Sequence, residues 1–339
     1  MSGHSFAYIS GISYYLPAAS LTNEQLSKAF PEWSVDKIMQ KVGISTRRIV
    51  AEDEFTSDLA VSASQNLFKE HNLRTSEVDY LILCTQSPDY FLPTTACLVH
   101  ERLQLPSTAG AIDINQGCSG FVYGLSLAKG LIGSGDISNV LLVTAETYSR
   151  FLHPDDKGNR SIFGDAAAAI WVSASPGGAA IGKIALGTDG KGAKNLIVKN
   201  GAIRYAKTAD QSLQSDKDGN LFNDNYLYMN GSEIFNFTLE SVPALVRQIL
   251  QKNQLQQEDI DLFIFHQANR FMLEYLRKKI KIPQENFFIA MEHCGNTVSS
   301  TIPIAMKQAL LEGKIKIGSK VLVAGFGVGY SWGGAVLRF

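Results

Sequence analysis

The chain has 339 residues, 45% of them hydrophobic, with a formal net charge of −1. That length buries a sizeable core in one large or two smaller domains. The balanced charge excludes the basic excess of a nucleic-acid binder, and no apolar run approaches the ~20 residues that span a bilayer. Met1–Gly11 has no basic segment ahead of its apolar part, which argues against a secretory signal. Cys84, Cys97, Cys118 and Cys294 show neither CxxC pairing nor metal-ligand spacing. They read as free thiols in a reducing cytoplasm, with no metal site.

In chain order, residues 6–16 alternate and predict a strand ended at Pro17. Thr22-Asn-Glu-Gln25 is a capped helix start, and a short helix is expected from Ser34 to Lys41, stopping at Gly43. Asp58–His71 reads as a helix, Tyr80–Cys84 as a buried strand and Thr94–Leu103 as a helix. Ala109–Ile114 is strand-like, Phe121–Ile132 is an all-round apolar helix, and Val140–Ala145 is another buried strand. After the turn at 173–178 a similar order returns: strand Ile181–Leu186, helix Ser232–Lys252, strand Leu262–Phe265, helices Arg270–Lys281 and Val298–Leu311, strand Lys320–Ala324 and a C-terminal hairpin. Strands alternating with helices predict an α/β protein with parallel strands covered on both faces. The polar stretch 187–225 reads as a long loop; its Lys191, Lys194, Lys199 and Lys207 either hold phosphates or are simply solvated.

The informative stretch is Asp113-Ile-Asn-Gln-Gly-Cys-Ser-Gly-Phe121, which places Cys118 where a strand turns into a helix. The helix N–H groups and dipole are expected to favour a thiolate there. Gly117 and Gly120 are expected to let the backbone turn tightly. The plain alternative is a small buried core residue. Three further segments bear on the choice: Phe265-His-Gln-Ala-Asn269, Cys294-Gly-Asn-Thr297 and Gly325-Phe-Gly-Val-Gly-Tyr-Ser-Trp-Gly333.

With the nucleophile turn, these segments resemble the β-ketoacyl-acyl carrier protein synthase III family of the thiolase superfamily, over essentially the whole chain. The resemblance implies the thiolase fold, two duplicated half-domains (1–175 and 176–339) in α-β-α-β-α layers, and a homodimer. It implies a decarboxylating condensation of an acyl primer, on coenzyme A or an acyl carrier protein, with a malonyl thioester through an acyl-Cys118 intermediate. His266 and Asn296 are then neutral donors to the enolate oxygen, and the backbone N–H groups of Cys118 and Val328 form the oxyanion hole. No tightly bound cofactor is implied. The commonest family pattern has three glycines where Gly327-Val328-Gly329 stands, which puts acyl preference in question. Phe163, Phe91 and Leu92 fall on acyl-pocket positions or are ordinary core. Gly231, Phe235 and Asn269 fall beside the pantetheine tunnel. Lys41, Lys157, Arg270, Arg277 and Lys278 are the docking candidates, Trp33 being displaced from the family's tryptophan. Alternatives are acyl transfer to an oxygen or nitrogen acceptor, and a non-catalytic partner subunit.

Overall fold

The computed structural model describes residues 7–215 and 221–339; the start of the first expected strand, Phe6, and part of the polar stretch lie outside them. Nine strands form one hydrogen-bonded sheet: β1 (Tyr8–Tyr15), β2 (Tyr80–Cys84), β3 (Gly110–Ile114), β4 (Asn139–Glu146), β5 (Ala166–Ser173), β6 (Ala179–Thr188), β7 (Leu262–Phe265), β8 (Lys320–Gly327) and β9 (Ser331–Arg338). The helices are α1 (Asn23–Ala29), α2 (Val35–Val42), α3 (Thr56–His71), α4 (Thr95–Arg102), α5 (Gly120–Ser134), a single turn α6 (Lys157–Arg160), α7 (Gly231–Asn253), α8 (Arg270–Ile280) and α9 (Thr301–Leu311). Local chemistry explains their ends. Thr22 and Gln25 form a capping box on α1, Ser34 caps α2, and Gly43 closes α2 in the left-handed conformation.

The strand order is β7-β8-β9-β6-β1-β5-β4-β2-β3. The sheet is mixed, so the expectation of parallel strands holds only for β4, β2 and β3 and for β7 and β8. Outward from the centre, β1, β5, β4, β2 and β3 repeat in β6, β9, β8, β7 and a lone parallel bridge from Phe263 to Phe287, with the same directions at each step. The two series meet at Tyr8–Ala180 and Ile9–Ala179, beside which Ile181 N–H donates to Ala7 O at 2.9 Å. The molecule is therefore a duplicated α/β unit.

Strand side chains sort into three cores, which gives the layers. Leu141, Val143 and Trp171 face α3 and α4; Leu322, Ala324 and Phe263 face α7 and α8. The opposite faces, with Val140, Leu142, Ile170, Val321 and Val323, enclose α5 and α9 between them. Both faces of each half-sheet are thus buried, which is why the strands read as unbroken apolar runs. The order is α-β-α-β-α.

Two regions differ from the sequence reading. β5 carries Ala166-Ala-Ala-Ala169, a weak strand signal, and was not expected as a strand; its small side chains fit a strand buried on both faces. The 187–225 stretch is partly ordered: Leu196–Val198 pairs with Leu227–Met229, and Lys199 is engaged by Asp224 at 2.5 Å.

One seam positions the site. Phe163 bridges to Asn296, with Gly164 N–H donating to Asn296 O (3.0 Å) and Asn296 N–H to Ile162 O (2.9 Å). A Cβ on Gly164 would stand 2.2 Å from the Cys294 carbonyl oxygen. Gly164→Ala is therefore expected to cost about 1–3 kcal/mol through forced displacement, seen as a lower urea midpoint. An unchanged midpoint would mean that this seam yields freely.

Candidate active site

Cys118 lies between β3 and the first turn of α5 and is 6% exposed. Asp113 of β3 fixes the approach, its carboxylate accepting the N–H groups of Thr95 and Ala96 (both 2.7 Å) at the start of α4. Neither Gly117 nor Gly120 adopts positive φ; close packing is what demands them. A Cβ on Gly117 would meet Gln86 Oε1 and Val328 Cγ1 at 2.5 Å, and one on Gly120 would meet Cys84 Sγ at 2.3 Å.

The end of β8 closes over the sulfur. A Cβ on Gly327 would sit 2.9 Å from Cys118 Sγ, so only glycine fits there. The backbone N–H groups of Val328 and Cys118 point at the sulfur. Immediately before them, Phe326 stands edge-on to the His266 imidazole, with ring centroids 5.7 Å apart. His266, 2% exposed, follows β7 and donates its backbone N–H to Ala324 O at 2.8 Å. Its Nδ1 lies 2.8 Å from Thr301 Oγ1. Asn296, 4% exposed, accepts Val298 N–H on Oδ1 at 2.9 Å. That bond identifies the carboxamide oxygen and leaves Nδ2 as the other end. Among the described residues, neither Asn296 Nδ2 nor His266 Nε2 has a hydrogen-bond partner. The three side chains thus share one neighbourhood: residues 326–328 touch both His266 and Cys118, and residues 296–301 hold both Asn296 and His266.

The electrostatics correct one expectation. Burial, reinforced by the Glu146 carboxyl, pushes the Cys118 thiol up to about 12, against the pull of the two N–H groups. Desolvation therefore outweighs the helix end, and the resting group is a thiol. Burial also pushes His266 down to about 3, so its imidazole is neutral. Glu146, which the sequence analysis did not single out, is the third buried group. Its Oε1 accepts Ser299 Oγ at 2.8 Å, and its Oε2 accepts Gln86 N–H at 3.1 Å. Burial raises it to about 8 despite these bonds. A glutamate at the end of a strand is ordinarily exposed, so nothing in the sequence marked it.

Other candidates divide. Phe163 is buried in the same core as Cys118 and packs on Tyr148 at 5.1 Å. Phe91 and Leu92 are 72% and 83% exposed, so the core reading of them fails. Phe235 stacks on Phe271 (5.7 Å) of α8, Asn269 caps α8 by accepting Met272 N–H, and Gly231 opens α7 on the surface. Lys41 and Lys157 stand over the Trp33 ring at 5.0 and 5.7 Å, so Trp33, though displaced in sequence, is flanked by two cations. The end of α2 packs on Arg270, where a Cβ on Gly43 would be 2.4 Å from the Arg270 Cβ. Arg277 is bound to Glu274 at 2.9 Å and to Ile282 O, which removes it from the free cations; Lys278 is exposed.

A duplicated five-layer α/β fold, with a buried cysteine from one half in the same neighbourhood as a histidine and an asparagine from the other, defines a thiolase-fold enzyme. Residues 112–190 match the family 3-oxoacyl-[acyl-carrier-protein] synthase III, and residues 250–339 match its C-terminal family. The β-ketoacyl-[acyl-carrier-protein] synthase III of Clostridium perfringens is 36% identical over 97% of this chain and 98% of its own. A crystal structure of a 3-oxoacyl-(acyl-carrier-protein) synthase III superposes with a TM-score of 0.95 at 49% identity, covering 98% of this chain and 100% of that one. The Thermus thermophilus enzyme gives 0.86 at 35%, covering 98% and 99%. The chain belongs to the 3-oxoacyl-[acyl-carrier-protein] synthase III family.

Two titrations follow from the burial. Alkylation at Cys118, followed on its own peptide by mass spectrometry, should keep accelerating with pH past the free-thiol value of 9.0. A plateau near pH 7 would mean that the thiolate is already formed. For Glu146, the folded value of about 8 lies above the reference of 4.5. Its contribution to stability is therefore complete below pH 4.5 and is lost as pH rises to about 8. Glu146→Gln should flatten that limb of a urea-midpoint profile, while Asp165, raised to about 6 by burial, keeps its part in both proteins. A slope unchanged in the variant would remove Glu146 from the account.

Proposed function

We propose that the protein catalyses the decarboxylating condensation of an acyl primer with a malonyl thioester, as an acyltransferase of fatty acid or related acyl biosynthesis. The observation that carries this reading is the pair of open neutral groups, His266 Nε2 and Asn296 Nδ2, grouped with a cysteine sulfur that backbone N–H groups already face. In this reading the Cys118 sulfur loses its proton, attacks the thioester carbonyl of the primer and expels the donor thiol. The N–H groups of Cys118 and Val328 hold the tetrahedral oxyanion. The malonyl thioester then loses carbon dioxide, and the bonding pair moves onto its thioester oxygen as an enolate. His266 and Asn296 hydrogen-bond to that oxygen. The enolate carbon attacks the acyl-enzyme and the Cys118 sulfur leaves, giving a β-ketoacyl thioester. Donors without charge suit this task, because a full cation would hold the enolate too tightly to let it attack.

Phe163 is read as acyl-pocket lining, and Gly231, Phe235 and Asn269 as lying along the pantetheine path. Lys41, Lys157, Arg270 and Lys278 are read as docking groups for coenzyme A or acyl carrier protein; Arg277 serves α8 itself. The exposed Phe91 and Leu92, with Tyr90 beside them, support a homodimer in which they meet a second copy. We place the two halves at 1–175 and 176–339 and the protein in the cytoplasm. Transfer to an oxygen or nitrogen acceptor needs no enolate, and so gives Asn296 no task.

Cys118→Ala should form no acyl-enzyme by intact mass. His266→Ala and Asn296→Ala should acylate normally, yet each should lose about 100-fold or more in carbon dioxide release from malonyl thioester. Acyl transfer to an alcohol or amine with no carbon dioxide released would replace this reading.

A further inference from the structure

We infer that Thr301 is a positioning residue: its hydroxyl donates to His266 Nδ1 and thereby fixes the imidazole's proton on Nε2, the atom left open to the site. This deepens the condensation reading and rests on the donor role given there to His266.

The argument begins with one proton and two acceptors. Thr301 Oγ1 lies 2.8 Å from His266 Nδ1 and 3.0 Å from the Val298 carbonyl oxygen. The imidazole is fully buried and neutral, so only one of its nitrogens carries a proton. If the hydroxyl points at Val298 O, that proton sits on Nδ1, and Nε2 presents a lone pair. An enolate oxygen would then face a second acceptor. If the hydroxyl points at Nδ1, Nε2–H is a donor. A substrate oxygen entering the site selects the second arrangement, because the first sets two lone pairs against each other. Among the described residues the ring's other polar neighbour is the Val298 backbone, whose carbonyl is the acceptor the first arrangement would use; Phe326 meets the ring edge-on with no polar atom.

The backbone beside Thr301 supports this purpose. Val298 has φ +54, a left-handed conformation that a β-branched residue rarely adopts. Such strain persists where surrounding structure over-determines it. Here the turn aims Val298 N–H at Asn296 Oδ1 and Val298 O at Thr301 Oγ1. One strained residue therefore orients both donors: the carboxamide directly, and the imidazole through Thr301.

The test uses full-length protein in three forms. Thr301→Val keeps the shape and removes the proton; Thr301→Ser keeps the proton. Both should acylate Cys118 at the wild-type rate, which reports a folded site. Thr301→Val should lose about 10–100-fold in kcat for condensation with little change in KM for the malonyl thioester, and Thr301→Ser should stay within about threefold of wild type. Long-range proton–nitrogen NMR of histidine-labelled acyl-enzyme, with a non-decarboxylating malonyl thioester analogue bound, should show the His266 proton on Nε2. Wild-type condensation by Thr301→Val, or a proton on Nδ1 in that complex, overturns the inference. Normal condensation by His266→Ala would instead defeat the donor role on which it rests.

Discussion

The site depends on the exclusion of water from the place where the two halves meet. In that medium a lone charge is costly, and each reactive group settles into its neutral form: a thiol at Cys118, an imidazole at His266 and, at neutral pH, a carboxylic acid at Glu146. In the condensation proposed above, catalysis then rests on oriented dipoles. The backbone N–H groups at Cys118 and Val328 and the side-chain ends of His266 and Asn296 need no reorganisation when charge appears, which is where such groups are most effective. Glu146 belongs to the same constraint. As an anion it would oppose a thiolate at Cys118, so its protonation removes a repulsion that the helix end alone does not overcome.

Duplication supplies the geometry. In each half a strand or bridge at the sheet edge feeds a helix packed in the central layer: β3 leads to α5, and the Phe287 bridge leads to α9. Equivalent helix starts therefore converge between the two half-sheets. The chemistry at them has diverged, one start carrying Cys118 and the other following Asn296. β8 then brings Phe326 and Gly327 across the seam to touch the groups of both halves, so the site does not exist in either half alone.

Much of this was legible in the sequence, for definite reasons. Tyr80–Cys84 and Leu262–Phe265 are apolar on both faces, and α1 and α2 carry their own caps, so their boundaries could be read locally. β5 could not, because an alanine run signals strand only once both faces are known to be covered. The turn at Cys118 was visible, but its protonation was misread as thiolate: the dipole is a local property, whereas burial depends on β8 and on Glu146. Thr301 and Val298 were likewise silent. A threonine at a helix start reads as an ordinary cap, and a valine carries no sign that its backbone is left-handed.

The surface around Trp33 shows the same physics in reverse. Lys157 and Arg270 are held by Glu32 at 2.7 Å and Glu292 at 3.4 Å, and all four side chains are at least a third exposed. Such pairs are worth only about 0–1 kcal/mol, so in the docking role proposed for them an anionic carrier would exchange for either glutamate at small cost. Rigid, buried partners would serve badly in the docking face proposed here. Buried groups such as His266 and Asn296 must instead be fixed, because a misdirected donor there has no water to replace it. The contrast between exchangeable pairs outside and strained, fully specified contacts inside follows from the one difference in solvent.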